Sequence, residues 1–453
     1  MSDGADLLAI CDRVVAQALP GEQIDAYVAR GGDTEVRVYQ GAVEHFVSAQ
    51  SEGIGIRVIS GGRTGFAYAG TLDESAVAEV LADARDNVAF GEPDEWAGLA
   101  TPDGVEATTQ ELWNESLVEF PTESKIELAR ELERLTLAAD RRVRVDDSNY
   151  ADAYGEAAVA TTTGIRRWGR ENGCFVSVST LADSDGDGPA ETQTGFGFSV
   201  GREPGQIDLA RASKEAAQRA TRLLGAVKPA SARTTIVLDP FVTAQFLSII
   251  ASTLNGESVV KGRGLFRDRL GEAIANPIVT LVDDPTNPLA YTATDVDGEG
   301  LAARRNVLIG DGVLRQFTHN SYSARRAGTV STGNAVRGGF AGTPGVGALA
   351  LSLVPGTRSQ DELVASVGEG VLVQSVQGIH SGVNAISGDF STGAAGLMIR
   401  GGQVAEPVRE FTIASTLQRM LLDIVEVGGD IDWLPMRAAG VSLVIRDVTL
   451  SGR

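Results

Sequence analysis

Thr234-Thr-Ile-Val-Leu-Asp239-Pro240-Phe-Val-Thr-Ala-Gln-Phe-Leu-Ser-Ile-Ile-Ala-Ser-Thr-Leu254 decides how the second half of this chain is built. Its β-branched opening reads as a strand, and Asp239-Pro240 then supplies an N-cap followed by proline at the first helical position. The helix they start carries Phe246, Leu247, Ile249, Ile250 and Leu254 and is apolar nearly all round, so it is expected to be buried. Immediately upstream, Lys228-Pro-Ala-Ser-Ala232 is small and polar with a proline, the composition of a domain boundary. At 453 residues the chain exceeds what one core usually serves. Two domains follow, residues 1–228 and 233–453.

Downstream of the helix the chain reads mostly as strands and turns: Ile278–Asp283, a hairpin over Asn306–Arg315, Gly370–Gln374, a hairpin across Gly401-Gly402, and a last strand Val441–Leu450. Two helices interrupt them, one opened by the capping box Ser359-Gln-Asp-Glu362 and one along Thr412–Val427. The second domain is therefore expected to be antiparallel strands wrapped on a buried helix.

The first domain mixes its elements differently. Leu7, Cys11, Val14 and Ala18 recur at helical spacing; Glu35–Tyr39, Gly53–Ile59 and Thr64–Tyr68 form a meander turned at Gly61-Gly62. Asp73 is read as the cap of a helix with Val77, Val80, Leu81, Ala84 and Val88 inward; Thr122 opens another with Leu128, Leu132, Leu135 and Ala139 inward. Short strands Ala157–Thr163, Cys174–Thr180 and Thr194–Val200 precede an Ala-rich helix capped by Asp208 and stopped at Gly225. Strands and helices do not alternate as βα units, so the fold class is α+β, a mixed N-terminal domain followed by a β-rich one.

The net charge of −21 is uneven: the 21 acidic and 17 basic residues from Asp239 onward leave −4 there and −17 in the first 238 residues. An acidic surface repels phosphate backbones and argues against nucleic acid. Of those 17 basic residues 16 are arginine, including Arg304-Arg305 and Arg325-Arg326, which suit interdomain or surface ion pairs. No apolar run approaches a bilayer span and the opening Met-Ser-Asp-Gly-Ala-Asp has no basic signal-peptide start, so a cytoplasmic location is expected. Cys11 and Cys174 are too few for a disulfide framework and are read as core thiols.

Histidine chemistry is limited to His45, His319 and His380, with His45 in a strand. No His-Glu-x-x-His zinc motif, Cys-x-x-Cys, P-loop, nucleophile elbow or Rossmann fingerprint occurs. Asp183-Ser-Asp-Gly-Asp-Gly188 opens like a calcium loop, but its twelfth position is Thr194 and it reads as an acidic hairpin tip. Asp283 and Asp284 point to opposite faces of a strand and are taken as a solvated strand end. Glycine and small polar residues crowd Gly378-Ile-His-Ser-Gly-Val-Asn384-Ala-Ile-Ser-Gly-Asp389-Phe-Ser-Thr-Gly-Ala-Ala-Gly396, a composition suited to close backbone approach. A Ser/His/Asp site from Ser381 or Ser391, His380 and Asp389 can be drawn there, although adjacency in sequence establishes no relay.

Lys261-Gly-Arg263, Leu270-Gly-Glu272, Val282-Asp-Asp-Pro285, Asp297-Gly-Glu-Gly300, Ser323-Ala-Arg-Arg326, Ser331-Thr-Gly-Asn-Ala335, Pro355-Gly356, Gly388-Asp-Phe-Ser391 and Pro407-Val-Arg-Glu410 follow in an order that resembles the TldD/PmbA family, and within it the PmbA (TldE) branch. Gly53–Ile59 and Gly62–Tyr68 are similar to that family as well. The resemblance implies a two-subunit metallopeptidase acting on flexible peptides, formerly labelled a modulator of DNA gyrase. It implies zinc in a TldD-like subunit, on a His-Glu-x-x-x-His helix with a cysteine near the C-terminus. In this chain that motif falls on Leu247-Ser-Ile-Ile-Ala-Ser252, and no cysteine follows Cys174. Ligands and general base are absent together, so no cofactor is expected in this chain and zinc is expected in a TldD-like partner. Carried over by region, His380, Asn384 and Asp389 become substrate-cleft or interface candidates. The alternatives are a homodimeric peptide-binding or scaffold protein without catalysis, and a metal-independent hydrolase.

Overall fold

A computed structural model describes residues 4–184 and 191–453. Its first half is a six-stranded antiparallel sheet in the order β3-β2-β1-β4-β5-β6. Helix α1 (Ala5–Val15) precedes the long meander of β1 (Gln23–Tyr39), β2 (Ala42–Ser60) and β3 (Arg63–Ala69). Then come α2 (Glu74–Val88), the single turn α3 (Glu115–Val118) and α4 (Thr122–Ala139), followed by β4 (Val143–Thr161), β5 (Arg166–Asp183), β6 (Thr192–Gly201) and α5 (Leu209–Thr221). Side chains alternate across a strand. Ile24, Ala26 and Val28 therefore meet α1 and α2, while Val36 and Val38 of the same strand face meet α4 and α5. The opposite face, starting at Asp25, turns toward the second half.

These strands are longer than the stretches read from sequence: β1 begins at Gln23, well before Glu35, and carries Gly31-Gly32 in its interior. A Cβ at Gly31 would stand 2.4 Å from the Tyr154 carbonyl oxygen, and one at Gly32 about 2.8 Å from the Tyr154 ring. Those glycines let β4 cross close by and do not end the strand. The turns themselves follow two-residue hairpin chemistry: both central residues have positive φ at Gln40-Gly41, Gly61-Gly62, Asp311-Gly312 and Gly401-Gly402.

Two cap and packing expectations are corrected. Asp73 stands at the α2 N-cap position but its carboxylate accepts from Thr71 Oγ1 (3.1 Å) and caps nothing. Helix α4 buries Leu132, but Leu128 and Leu135 are only half-buried and Ala139 is exposed; the innermost positions are Lys125, Ala129, Glu133 and Thr136. The reason is polar: Lys125 pairs with Asp152 at 2.6 Å, and Glu133 accepts from the backbone N–H groups of Gln40 and Gly41, both at 2.7 Å. A satisfied buried charge outcompetes a leucine for the inward face. Asp208, by contrast, caps α5 by accepting from Arg211 N at 2.8 Å.

The second half opens with β7 (Ala232–Leu238), the core helix α6 (Pro240–Thr253) and the short α7 (Gly256–Val260). A small sheet joins β8 (Leu281–Asp283), β9 (Asn306–Gly310), β10 (Val313–Leu314) and β13 (Leu351–Leu353), with α8 (Ser321–Ala327) and the pair β11 (Ala335–Val336) and β12 (Gly345–Val346) between them in sequence. Helix α9 (Gln360–Ser366) carries the expected capping box and leads into β14 (Glu369–Gln377), the turn α10 (Ile379–Gly382), β15 (Asp389–Arg400) and β16 (Gln403–Thr416). The chain ends through α11 (Leu417–Leu422), β17 (Ile424–Val427) and β18 (Leu443–Ser451).

The order β16-β15-β14-β7-β18-β17 closes on itself, because β16 also pairs with β18. A barrel results, in which β14 and β7 are the parallel neighbours and the other pairs are antiparallel. Closure removes exposed sheet edges. Ile236 and Leu238 share a core with α6, while Val237 between them packs with α9 residues Leu363 and Val364. The helix expected over Thr412–Val427 is largely strand. Thr412 and Ile413 are β-branched and pair with both β15 and β18, leaving only Leu417–Leu422 helical.

Candidate functional site

Helix α6 is where the implied metal motif falls, and its environment decides what it can do. Leu247 is 1% exposed and sits in the main apolar core with Phe246 and Ile250. Ser248 and Ser252 form an exposed strip one helical turn apart, and each hydroxyl turns back to its own helix: Ser248 Oγ donates to Ala244 O at 2.9 Å and Ser252 Oγ to Ile249 O at 2.6 Å. A buried leucine and two back-bonded serines offer a zinc ion no imidazole, carboxylate or thiolate. Among the described residues no group of three or more His, Cys, Asp or Glu side chains is placed to hold a metal ion. The residues of this helix do not fit the family's zinc.

The glycine-rich stretch packs against the same helix: the Phe390 ring meets that of Phe246 edge-on, centroids 6.3 Å apart. His380, Asn384 and Asp389 are all exposed around the connection from β14 to β15. Asn384 Oδ1 accepts from the N–H groups of Ile386 (2.9 Å) and Ser387 (3.1 Å), and Asp389 Oδ2 accepts from Ser387 Oγ at 2.6 Å. Gly388 at φ 87° supplies the left-handed turn before Asp389, and a Cβ on Gly382 would stand 1.9 Å from Ser391 O. Two of the three candidates thus shape the loop. Ser381 Oγ donates to Gly378 O at 3.2 Å, and no hydrogen bond among the described residues joins His380 to Ser381, Ser391 or Asp389. The drawn relay is not assembled.

Several motifs read from the sequence converge instead on a buried polar frame. Asp283 is fully buried, correcting its reading as a solvated strand end; its carboxylate accepts from Leu349 N, Ala350 N and Asn334 Nδ2. Asn334 Oδ1 in turn accepts from Thr332 Oγ1 (2.7 Å) and Asn306 Nδ2 (3.1 Å). Thr332 Oγ1 receives His319 N, and His319 Nδ1 lies 3.0 Å from Ser323 Oγ. Asp297 accepts from the N–H groups of Glu299, Leu301 and Ala335, while Glu299 holds Ser321 through its N–H and hydroxyl. Burial, reinforced by Glu299, pushes Asp297 up to about 7; burial also raises Asp283 and pushes the His319 imidazole down to about 4. Ser331–Ala335 and Asp297–Gly300 are therefore scaffold, fully bonded within the protein.

The arginines link the two halves. Asp25, 1% exposed, receives Arg337 at 2.6 Å and Arg57 at 2.9 Å, and Arg337 also lies 4.5 Å over the Tyr27 ring. Burial opposes ionisation of Asp25, but the two guanidinium groups hold its pKa below the usual carboxylate range. Arg304 pairs with Asp103, and Arg325 donates to the carbonyls of Trp96, Gly98 and Leu99. Gly53 and Gly55 of β2 make room for this contact: a Cβ on Gly55 would fall 2.1 Å from Phe340 O. Beside it, a cavity of about 660 Å³ opens between β1, β4 and β5 on one side and residues 291–298 and 335–341 on the other. None of His380, Asn384 and Asp389 lines it.

Three family models match in series: the PmbA/TldA metallopeptidase domain 1 over residues 24–88, its central domain over 115–224 and its C-terminal domain over 231–452. The chain is 27% identical to the metalloprotease PmbA of Escherichia coli O157:H7 over 98% of its own length and 96% of the relative's. It is 27% identical to a metalloprotease TldD homologue of Haemophilus influenzae over 80% of this chain and 76% of that one. Its fold superposes on TldE from Thermococcus kodakarensis with a TM-score of 0.89 at 23% identity, covering 99% of both chains.

Proposed function

From the chain's membership of the PmbA/TldD metallopeptidase family, we propose that it is the non-metal subunit of a TldD/TldE-type complex that cleaves flexible peptides in the cytoplasm. What supports this reading is helix α6: the resemblance would put the zinc ligands and base at Leu247, Ser248 and Ser252, and the two serine hydroxyls there are bonded back to their own helix. A TldD-like partner supplies the zinc. The domain from residue 233 onward then contributes scaffold and interface, joined near residue 228 to the acidic first domain.

In this reading His380, Asn384 and Asp389 form part of the peptide cleft or the subunit interface. The loop supports that role because its backbone is shaped by its own side chains and its outward groups remain accessible. A peptide laid beside such backbone would be held through main-chain contacts.

The test is co-expression with a TldD-like chain from the same source, followed by zinc analysis and peptide hydrolysis on this chain alone and on the mixture. Zinc and turnover confined to the co-purified mixture support the proposal. Stable self-association that ignores the partner would favour a homodimeric scaffold, and chelator-insensitive turnover by this chain alone would overturn the assignment.

A further inference from the structure

The turn Asp297-Gly-Glu-Gly300 lies on the seam between the two halves, and both of its carboxylates are enclosed. Asp297 is 6% exposed and Glu299 3%. Leu301, next in the chain, packs with Ala100, Val159 and Ile165 of the first half. Gly300, at φ 80°, fits so closely against that half that a Cβ there would stand 2.7 Å from Ile165 and 2.9 Å from Val159. Among the described residues the two carboxylates accept only from backbone N–H groups and the Ser321 hydroxyl, and neither has an ion-pair partner. Two like charges two residues apart, taken out of water without a cation, oppose the closed arrangement.

Each carboxylate holds an element that reaches across the seam. Asp297 Oδ2 accepts from Ala335 N at 3.0 Å, at the start of β11; two residues on, Arg337 donates to Gly298 O and to the Asp25 carboxylate of β1. Glu299 takes the N–H and hydroxyl of Ser321, the first residue of α8. From that helix Tyr322 donates to Asp94, and Arg325 to the carbonyls of Trp96, Gly98 and Leu99. The charged groups that face the turn are thus committed elsewhere. Asp25 holds Arg337 and Arg57, the three carbonyls hold Arg325 beside Glu299, Tyr322 holds Asp94, and Arg167 of β5 passes Gly300 with its aliphatic stem. Burial and the Glu299 charge push Asp297 up to about 7, above the range of a hydrated carboxylate.

We propose that this turn is a proton-operated latch on the interdomain seam: a proton on Asp297 holds the seam closed, and its loss to solvent lets α8 and β11 lift from the first half. The cavity of about 660 Å³ beside the seam is walled in part by Asp297, Gly298, Ala335, Val336 and Arg337, so lifting opens it. The direction follows from linkage. The closed state binds the proton more tightly than an opened, hydrated turn does, so the opening equilibrium rises about tenfold per pH unit between about 5 and 7 and levels off above. The latch is built wholly from this chain and does not depend on a partner subunit.

The experiment is amide hydrogen exchange read by mass spectrometry on the full-length chain at pH 5, 6, 7 and 8, each rate divided by the intrinsic rate of an unstructured amide at that pH. Protection over residues 320–337 is expected to fall about tenfold per unit from pH 5 to 7 and to change little from 7 to 8, while α6 keeps its protection. Asp297→Asn removes the pH dependence. Glu299→Gln, which takes away the neighbouring charge, moves the levelling-off to lower pH and keeps the test decisive should the Asp297→Asn chain fail to fold. Protection over 320–337 that does not change with pH, the wild-type slope in a folded Asp297→Asn chain, a wild-type profile in Glu299→Gln, or α6 losing protection in step with the seam would each overturn the proposal.

Discussion

Asp25 concentrates the residue-scale energetics. Its carboxylate is buried between Arg57 and Arg337, so removing one guanidinium leaves a buried charge half-compensated. Arg337→Met is expected to lower the unfolding free energy by about 3 kcal/mol, read from the urea midpoint at unchanged m-value. A second residue-scale expectation concerns His319. Its folded pKa of about 4 lies below the unfolded value near 6.5, so the unfolded chain holds the extra proton between them. Stability contributed by neutral His319 is present above about 6.5 and is lost as pH falls toward about 4. Asp297 runs the other way: its folded pKa of about 7 exceeds the unfolded value, so it withdraws stability as pH rises from about 4 to about 7. The two oppose each other in the wild type. Comparing the pH dependence of unfolding in His319→Gln with wild type should isolate the histidine slope, and an unchanged curve would refute it.

At the scale of elements, caps separate positions that look alike in sequence. Asp73 and Asp208 both precede helices, but only Asp208 accepts a helix N–H. Asp208→Ala is expected to cost about 1 kcal/mol and Asp73→Ala close to nothing, both measurable by chemical denaturation. The glycines of β2 belong to this scale too. Gly55→Val would drive a side chain into the Phe340 backbone, which has no flexible end to move aside. A loss of about 3 kcal/mol is expected, with a larger radius of gyration by small-angle scattering if the two sheets part. A variant as stable and compact as wild type would show that the 338–341 segment yields freely.

For the whole molecule, the two sheets do different work. The first spends one face on four helices and turns the other toward the second half, where arginines on the C-terminal side clamp it. The second closes into a barrel that shares its core with α6. This places α6 and the glycine-rich loop together on one body. Exchange of His380 and Asp389 for alanine is expected to leave stability within about 0.5 kcal/mol, since both are exposed, while reducing peptide turnover by the paired complex. Unaltered turnover would remove this loop from the cleft.

Local chemistry made much of this legible from sequence. Asp239-Pro240 starts a helix, Ser359-Gln-Asp-Glu362 forms a capping box, and Gly61-Gly62, Asp311-Gly312 and Gly401-Gly402 turn hairpins, because each depends only on neighbouring backbone geometry. What sequence could not settle depends on distant partners. Arg30-Gly-Gly-Asp33 became strand because Tyr154 crosses it, Lys125 and Glu133 turned inward because Asp152 and the β1–β2 hairpin turn satisfy them, and Thr412–Thr416 paired as strand because β15 and β18 lie on either side. Barrel closure likewise arises only when segments far apart in the chain meet. Residue type and short-range backbone preference determine local elements and possible chemistry; burial and pairing, which choose among them, exist only in the folded whole.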